Sequence, residues 1–379
     1  MKTAIVIGSG AGGAAAAREL QGRYAVTILE AGRPFRPFAM NLKFLAVMRR
    51  SGLFFDEREI QLLFPAMQVR KSRPAGMVLV TGVASGGTTN LSAGNALRVG
   101  SDLKKIGIDL SPEFQELKQE IPITVDHEKL WRPATRQLYD ICRGMNLQPQ
   151  PTPKMGNYDR CKSCGHCVLG CPYGVKWDSR RFLRDSVAKG SRLITNCHAE
   201  RIEIKDGRAV GVWATTKGRT TLMTADLIIA AAGGFATPVI LKNSGISCTP
   251  SLFVDPVLCV ASEWPNALQN REIPMPFVCQ QPHYILSPYF DHLSFFFNKN
   301  WRLPAENILS LMIKLADSTQ GDSDGRRITK ELTTADKERL KQGVELCSDI
   351  LSRLGIKRES VFRGTYHTRP PCHIFPLTA

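Results

Sequence analysis

Long apolar runs are absent from this sequence of 379 residues, although 43% of its residues are apolar. No stretch reaches the ~18 consecutive apolar residues that a membrane-spanning helix needs. The first apolar run is short and strand-like, and it lacks the longer core and the cleavage site of a secretory signal peptide. We therefore expect a cytoplasmic protein without a transmembrane segment.

Concentrated charge is also lacking. The chain has 50 Lys and Arg against 34 Asp and Glu, a formal net charge of +16, yet the basic residues are scattered in small groups. No basic stripe interleaved with aromatic residues is present, which argues against a nucleic-acid partner. We interpret the charge as a solvated basic surface, with peripheral membrane contact as the alternative.

A disulfide framework is not expected, because the eleven cysteines are an odd number and no export signal accompanies them. Four of them form the run Cys161-x2-Cys164-x2-Cys167-x3-Cys171-Pro172. This spacing is typical of bacterial ferredoxins that hold a 4Fe–4S cluster. The run therefore predicts a metal or cluster site.

Three alternatives remain for this run. In two-cluster ferredoxins the fourth cysteine serves the other cluster, and this chain has a single run. Either all four cysteines hold one cluster, or Cys142 or Cys197 completes the site in place of Cys171. Zinc bound by thiolates is the second alternative, and a loop without metal is the third.

The first thirty residues predict a strand, a glycine turn, a helix and a second strand. The segments are Ala4–Ile7, Gly8–Gly13, Ala14–Leu20 and Ala25–Leu29, and Glu30 follows them. This order is the βαβ unit that binds dinucleotides, in which the helix amino terminus holds the phosphates.

Each glycine of that turn has an expected role. Gly8 permits the tight turn, Gly10 leaves room for a pyrophosphate, and Gly13 lets the helix lie close to the strand. Glu30 lies 20 residues beyond Gly10, where its carboxylate can accept hydrogen bonds from a ribose.

A second glycine-rich segment follows the apolar run Met77–Val80. Adjacent glycines with hydroxyl and amide side chains suit a loop that approaches a ligand closely, although a plain turn explains them equally well. The candidate ligand-binding residues there are Gly86, Gly87, Thr88, Asn90 and Asn95.

A third segment, Leu193–Ala232, predicts a strand meander that ends in Gly233 and Gly234. A helix opened by Thr237–Pro238 should follow it.

Together these segments resemble the glucose–methanol–choline (GMC) oxidoreductase family of flavoproteins. The resemblance implies an α/β fold, in which a Rossmann-like FAD-binding domain with a mixed sheet and a β-meander is joined to an α+β substrate domain. It implies that the three glycine-rich segments, including Gly233 and Gly234, bind FAD. Combined with the resemblance, the sequence predicts these bounds: FAD-binding domain 1–100 with a lid at about 38–75, connecting segment 101–160, cysteine-rich loop 161–176, FAD-binding domain 177–249, substrate domain 250–360 and catalytic remnant 361–379.

Within the substrate domain, Tyr284–Tyr289 and Leu293–Phe297 read as strands that wall a pocket, with a place in the core as the alternative. Thr334–Leu354 predicts a helix ended by Gly355, with Cys347 in its apolar face.

The resemblance also implies a catalytic histidine near the carboxyl end. His367 is one match to the family motif, a second register places Pro370 there, and His373 is a third candidate. The closing segment of the family is missing from this sequence, and we expect its loss to weaken FAD binding.

These observations predict an FAD-dependent enzyme that oxidises a CH–OH group of a small-molecule alcohol. A cluster would pass electrons to a one-electron carrier protein. The alternatives are an NAD(P)-dependent reductase, and an inactive flavoprotein that serves as a binding or electron-transfer module.

Overall fold

The described part of the chain contains both helices and strands. The computed structural model describes residues 1–38, 44, 47, 60–74, 77–98, 101–248, 252–298, 301, 303–324, 327–364 and 367–368. Its helices are α1 Ala11–Glu19, α2 Ile60–Leu63, α3 Ser101–Lys105, α4 Ser111–Glu120, α5 Pro133–Gly144, α6 Arg180–Ala188, α7 Gly233–Asn243, α8 His292–Phe297 and α9 Thr334–Ser352. Its strands are β1 Lys2–Ile7, β2 Tyr24–Leu29, β3 Met67–Pro74, β4 Val78–Gly82, β5 Ile123–Thr124, β6 Gln150–Pro151, β7 Lys154–Met155, β8 Arg192–Ile194, β9 Cys197–Lys205, β10 Arg208–Thr216, β11 Arg219–Thr224, β12 Leu227–Ala230, β13 Pro256–Glu263, β14 Phe277–Gln280, β15 Tyr284–Pro288, β16 Ile308–Leu315, β17 Asp322–Ser323, β18 Ile328–Lys330, β19 Phe362–Arg363 and β20 His367–Thr368.

A parallel sheet in the order β12-β1-β2-β8 carries the amino-terminal βαβ unit. Successive residues of β1 point to opposite faces of the sheet. Ala4 and Val6 pack with Ala14 and Ala17 of α1, because those small side chains let the helix lie close to the sheet. The other face packs against the antiparallel meander β9-β10-β11. The Rossmann-like sheet and the meander are confirmed, but the outer segments β8 and β12 of Leu193–Ala232 belong to the parallel sheet.

A larger mixed sheet holds most of the other strands, in the order β17-β18-β3-β4-β20-β13-β16-β15-β14-β6, with β19 beside β13. Helices α5 and α9 cover one face through a mainly aliphatic core that includes Cys347. The other face carries an aromatic core. Strand β3 belongs to this sheet although it lies in the lid predicted at 38–75, and most of that lid is outside the described residues.

Helix α9 confirms the helix predicted at Thr334–Leu354. Thr333 and Asp336 form a capping box at its start, and Gly355 follows its end at φ +81°.

Two sequence expectations for local structure are wrong. Leu293–Phe297 lies in α8 and not in a strand, because the Asp291 carboxylate accepts a hydrogen bond from the Leu293 amide and caps a helix there. Helix α7 begins at Gly233, before Thr237–Pro238, so that Pro238 lies inside it. Among the described residues, no helix is long and apolar enough to cross a membrane.

Candidate functional site

The glycine turn after β1 packs so closely that side chains are excluded. A Cβ on Gly8, which has φ +98°, would lie 2.4 Å from the Ala231 carbonyl oxygen. A Cβ on Gly13 would lie 1.9 Å from the carbonyl oxygen of Gly8. Gly10 differs, because its Cβ would meet only the Cα of Gly87, at 4.0 Å. Gly10 is the N-cap of α1 and has no side chain to cap it, so no side-chain oxygen of the N-cap accepts from the first amides of the helix.

Glu30 closes this turn from the end of β2. Its carboxylate is 5% exposed and accepts hydrogen bonds from the Ser9 amide at 3.1 Å, the Ser9 hydroxyl at 2.5 Å and the Gly32 amide at 2.8 Å. Burial raises the pKa of Glu30 above its ordinary value of 4.5, although these hydrogen bonds act in the opposite direction. The acid is thus fixed beside the turn, as a ribose contact requires.

The second glycine loop lies directly on the first. Gly87 has φ +54°, and a Cβ there would lie 2.8 Å from the Cα of Gly10. The Gly86 amide donates to the Ser9 hydroxyl at 3.1 Å. The two segments, 78 residues apart at Gly8 and Gly86, therefore form one cradle.

The polar side chains of this loop hold its own backbone. The Thr88 hydroxyl accepts from the Gly82 amide at 3.0 Å, and the Asn90 amide group donates to the carbonyls of Ser85 and Gly87. The Asn90 Oδ1 atom is buried and has no hydrogen-bond partner among the described residues. It is therefore an acceptor that a ligand could satisfy.

Two buried residues that the sequence did not single out join these segments. The Ser179 hydroxyl donates to the Gly86 carbonyl at 2.9 Å and to the Ser9 carbonyl at 3.3 Å. The Lys176 ammonium donates to the carbonyls of Thr89 at 2.7 Å and Asn90 at 2.9 Å. Both residues follow the cysteine run, so that run is tied to the cradle.

The remaining residues predicted to contact the cofactor are Asn95, Gly233 and Gly234. The Asn95 side chain accepts a hydrogen bond from Lys154 Nζ at 2.5 Å. Gly233 and Gly234 begin α7, just after Ala231 contacts Gly8, and a Cβ on either glycine would meet open space. The structure therefore brings the three glycine-rich segments together, and their contact with a cofactor stays a prediction.

The four cysteines of the run line one small cavity. The cavity also has Tyr158 and Lys176 in its wall. Cys142 and Cys197 lie in other parts of the core, so neither is placed to replace Cys171.

The thiols are close enough to interact, and burial is the main influence on them. Burial raises the pKa of Cys167 to about 12 and also raises the pKa values of Cys161 and Cys164, to which the neighbouring Cys171 contributes. No three His, Cys, Asp or Glu side chains among the described residues are placed to hold a single metal ion. Neither the zinc alternative nor the iron–sulfur alternative therefore gains support from this arrangement.

Of the two histidines predicted as catalytic, the structure describes only the backbone of His367. The backbone of His367 pairs with Val78 of β4 and with Val257 of β13. This position is at the end of β4 opposite Gly82, from which the second glycine loop begins. His373 lies outside the described residues, so both catalytic assignments stay predictions.

Comparison with known families assigns part of the chain to a family model. Residues 103–257 match the family model of GMC oxidoreductase. An uncharacterized GMC-type oxidoreductase of Mycobacterium tuberculosis is 30% identical over 263 residues, which are 66% of this chain and 40% of that protein. A long-chain-alcohol oxidase of Arabidopsis thaliana is 26% identical, over 64% of this chain and 34% of that protein. The chain thus spans well under half the length of these curated relatives.

Among solved structures, a pyridoxine 4-oxidase from Mesorbium loti superposes with a TM-score of 0.64 at 16% identity, over 92% of this chain and 80% of that protein. A formate oxidase of Aspergillus oryzae, a protein studied for FAD modification, superposes with a TM-score of 0.66 at 14% identity, over 93% of this chain and 81% of that protein. At these identities the likeness concerns the fold alone.

Proposed function

This chain belongs to the GMC oxidoreductase family, and from that premise we propose that it binds FAD and oxidises a CH–OH group of an alcohol by hydride transfer to the flavin. The observation that carries the proposal is the contact between two glycine segments at the uncapped start of α1. A phosphate-binding turn alone would suit NAD(P) equally well. The second loop, built on Gly86 and Gly87, would add a ligand contact beyond the nucleotide half of a cofactor.

The residues of the cradle fit such a dinucleotide. The amides at the start of α1 and the positive end of its helix dipole would hold the pyrophosphate. Glu30 would exchange its hydrogen bonds with Ser9 for ribose hydroxyls, and the buried Asn90 Oδ1 atom would accept a donor from the cofactor. FAD would supply the hydride acceptor.

Alcohol oxidation also needs a base for the hydroxyl proton. We assign this role to His367, with His373 as the second candidate, and the assignment depends on the family resemblance. The related proteins act on chemically different molecules by their names, which include long-chain alcohols and pyridoxine. Fold likeness therefore does not select the substrate.

The test is a spectrum of the anaerobically purified protein, followed by cofactor extraction and titration with a panel of alcohols. We expect released FAD and bleaching of its absorbance by at least one alcohol. Extraction of NAD(P) would support the reductase alternative. Bound FAD that no alcohol reduces, but that accepts electrons from a reduced carrier, would support the electron-transfer alternative.

A further inference from the structure

We infer that Cys161, Cys164, Cys167 and Cys171 bind one 4Fe–4S cluster, which passes electrons from the flavin to a one-electron carrier protein. The inference rests on the proposed function for its electron donor, while the metal site itself rests on the cysteine cavity. Neither the family match nor the related proteins assign a metal to this chain.

The first argument is the convergence of four thiols on one cavity. Four cysteines that serve two different sites would diverge, yet Cys171 faces the same space as the other three. The ferredoxin spacing of the run, with all four cysteines in the wall of one cavity, fits a multi-atom cluster that all four thiolates hold.

The second argument is a buried tyrosine in the wall of this cavity, close enough to Cys161, Cys167 and Cys171 to interact with them electrostatically. Tyr158 is 1% exposed and lines the cavity with the four cysteines, and its hydroxyl has no hydrogen-bond partner among the described residues. Such a group costs free energy unless something in the cavity accepts its proton. A cluster sulfide or a coordinating thiolate is such an acceptor, whereas a neutral thiol is a poor one. The Ser163 amide already donates to the Cys161 sulfur at 3.4 Å, as hydrogen bonds to cluster ligands do.

The third argument is charge. Four thiolates around an iron–sulfur core leave a net negative charge, which a buried site must offset. Two buried lysines lie beside the cavity. Lys176 lines it, and Lys154 is close enough to interact electrostatically with Cys167. Among the described residues Lys154 donates to the oxygens of Ala93, Asn95 and Pro274, none of which is a carboxylate.

The position of the cavity supplies the electron route. The turn His166–Leu169 packs against the turn Gly87–Leu91 of the second glycine loop. Lys176 connects the cavity with the second glycine loop, because it lines the cavity and its ammonium donates hydrogen bonds to two carbonyls of the loop. A hydride brings two electrons and one proton to the flavin, and the alcohol hydroxyl loses a second proton to the base. Two successive one-electron transfers through the cluster to two oxidised carriers, with release of both protons to solvent, would balance each turnover.

The test measures iron, acid-labile sulfide and FAD in the anaerobically purified full chain. We expect about four irons and four sulfides per chain, and an electron paramagnetic resonance signal after reduction with dithionite. FAD without iron would overturn this inference and leave the proposed function standing. Iron and sulfide without FAD would support the metal site and overturn the proposed function. Zinc in place of iron, or a disulfide within the run, would also overturn it.

Matched cysteine variants separate the site from general loss of thiols. Cys164→Ser combined with Cys171→Ser should remove the cluster, whereas Cys248→Ser, at an exposed cysteine outside the run, should keep it. Unchanged iron content in the double variant would contradict the assignment. Because that variant could fold poorly, thermal unfolding and circular dichroism are measured on the same samples.

Tyr158→Phe tests the hydroxyl without emptying its place in the core. The variant should retain four irons but lower the reduction potential of the cluster, because the lost hydrogen bond stabilised the more negative reduced state. A purely structural Tyr158 would leave the potential unchanged, and that result would refute the second argument. The readout is a dye-mediated redox titration followed by paramagnetic resonance.

Discussion

Gly10→Ala separates cofactor binding from folding, because the added methyl group would meet a ligand but almost no protein. Gly10 has φ −68° and ψ −167°, values that alanine adopts without strain. The nearest atom to its Cβ would be the Gly87 Cα at 4.0 Å, an ordinary contact distance. Without FAD the variant should therefore be as stable as the parent chain, or more stable by about 0.4–1 kcal/mol because alanine restricts the unfolded chain.

With FAD the same methyl group should be costly. It would project beside Gly87 at the start of α1, in front of the helix amides that we assign to the pyrophosphate. Displacing the phosphate from one charge-assisted hydrogen bond costs about 1.5–3 kcal/mol. A loss of that size weakens the dissociation constant roughly 10- to 150-fold.

The assay is titration of FAD-free protein with FAD by flavin fluorescence, together with chemical unfolding of the FAD-free protein. Gly12→Ala is the matched control, because it lies in the same helix turn and its Cβ would meet nothing within 4 Å. We expect the control to bind FAD normally. Equal FAD affinity of Gly10→Ala and Gly12→Ala would refute our placement of the pyrophosphate.

Three further predictions concern buried groups. Because burial raises the folded-state pKa of Glu30 above 4.5, the FAD-free folded chain retains a proton that the unfolded chain has released; its free energy of unfolding should fall as pH rises from about 4.5 through the raised pKa, and Glu30→Gln should flatten that slope in urea titrations. Lys330→Met, which leaves the buried carboxylate of Asp317 unpaired, should cost about 3–5 kcal/mol in urea unfolding, and an unchanged midpoint would contradict the buried pairing. Thr333→Ala removes the capping box with Asp336 and should cost about 0.5–2 kcal/mol, while Thr333→Ser should recover most of that loss.

The sequence predicted those parts of the fold that depend on local chemistry. The βαβ unit was predictable because strand, glycine turn, helix and acid are contiguous, and α9 was predictable because its apolar period and its capping residues agree. The error at Leu293–Phe297 arose because an aromatic run suits a strand and a buried helix equally well. The cap at Asp291 decided between them.

The site was only half predictable for a different reason. The three glycine-rich segments could be read from the sequence, but their mutual contact depends on residues with no motif of their own. Ser179 and Lys176 are an ordinary serine and lysine in the sequence, and only burial beside Gly86 and Asn90 gives them a role. Tyr158 is likewise an ordinary tyrosine in the sequence. Only the structure shows that its hydroxyl is buried without a hydrogen-bond partner among the described residues.

The contacts that fix the cysteine loop explain why the two proposed centres belong to one site. A Cβ on Gly165 would lie 2.0 Å from the Asn270 carbonyl oxygen, and a Cβ on Gly170 would lie 2.4 Å from the Phe35 ring. The loop is therefore held between the substrate-side segment at Asn270 and the segment that follows the parallel sheet at Phe35. Lys176 then ties its exit to the second glycine loop. A cluster bound there would share its supporting backbone with the flavin, so cluster loss should loosen FAD binding.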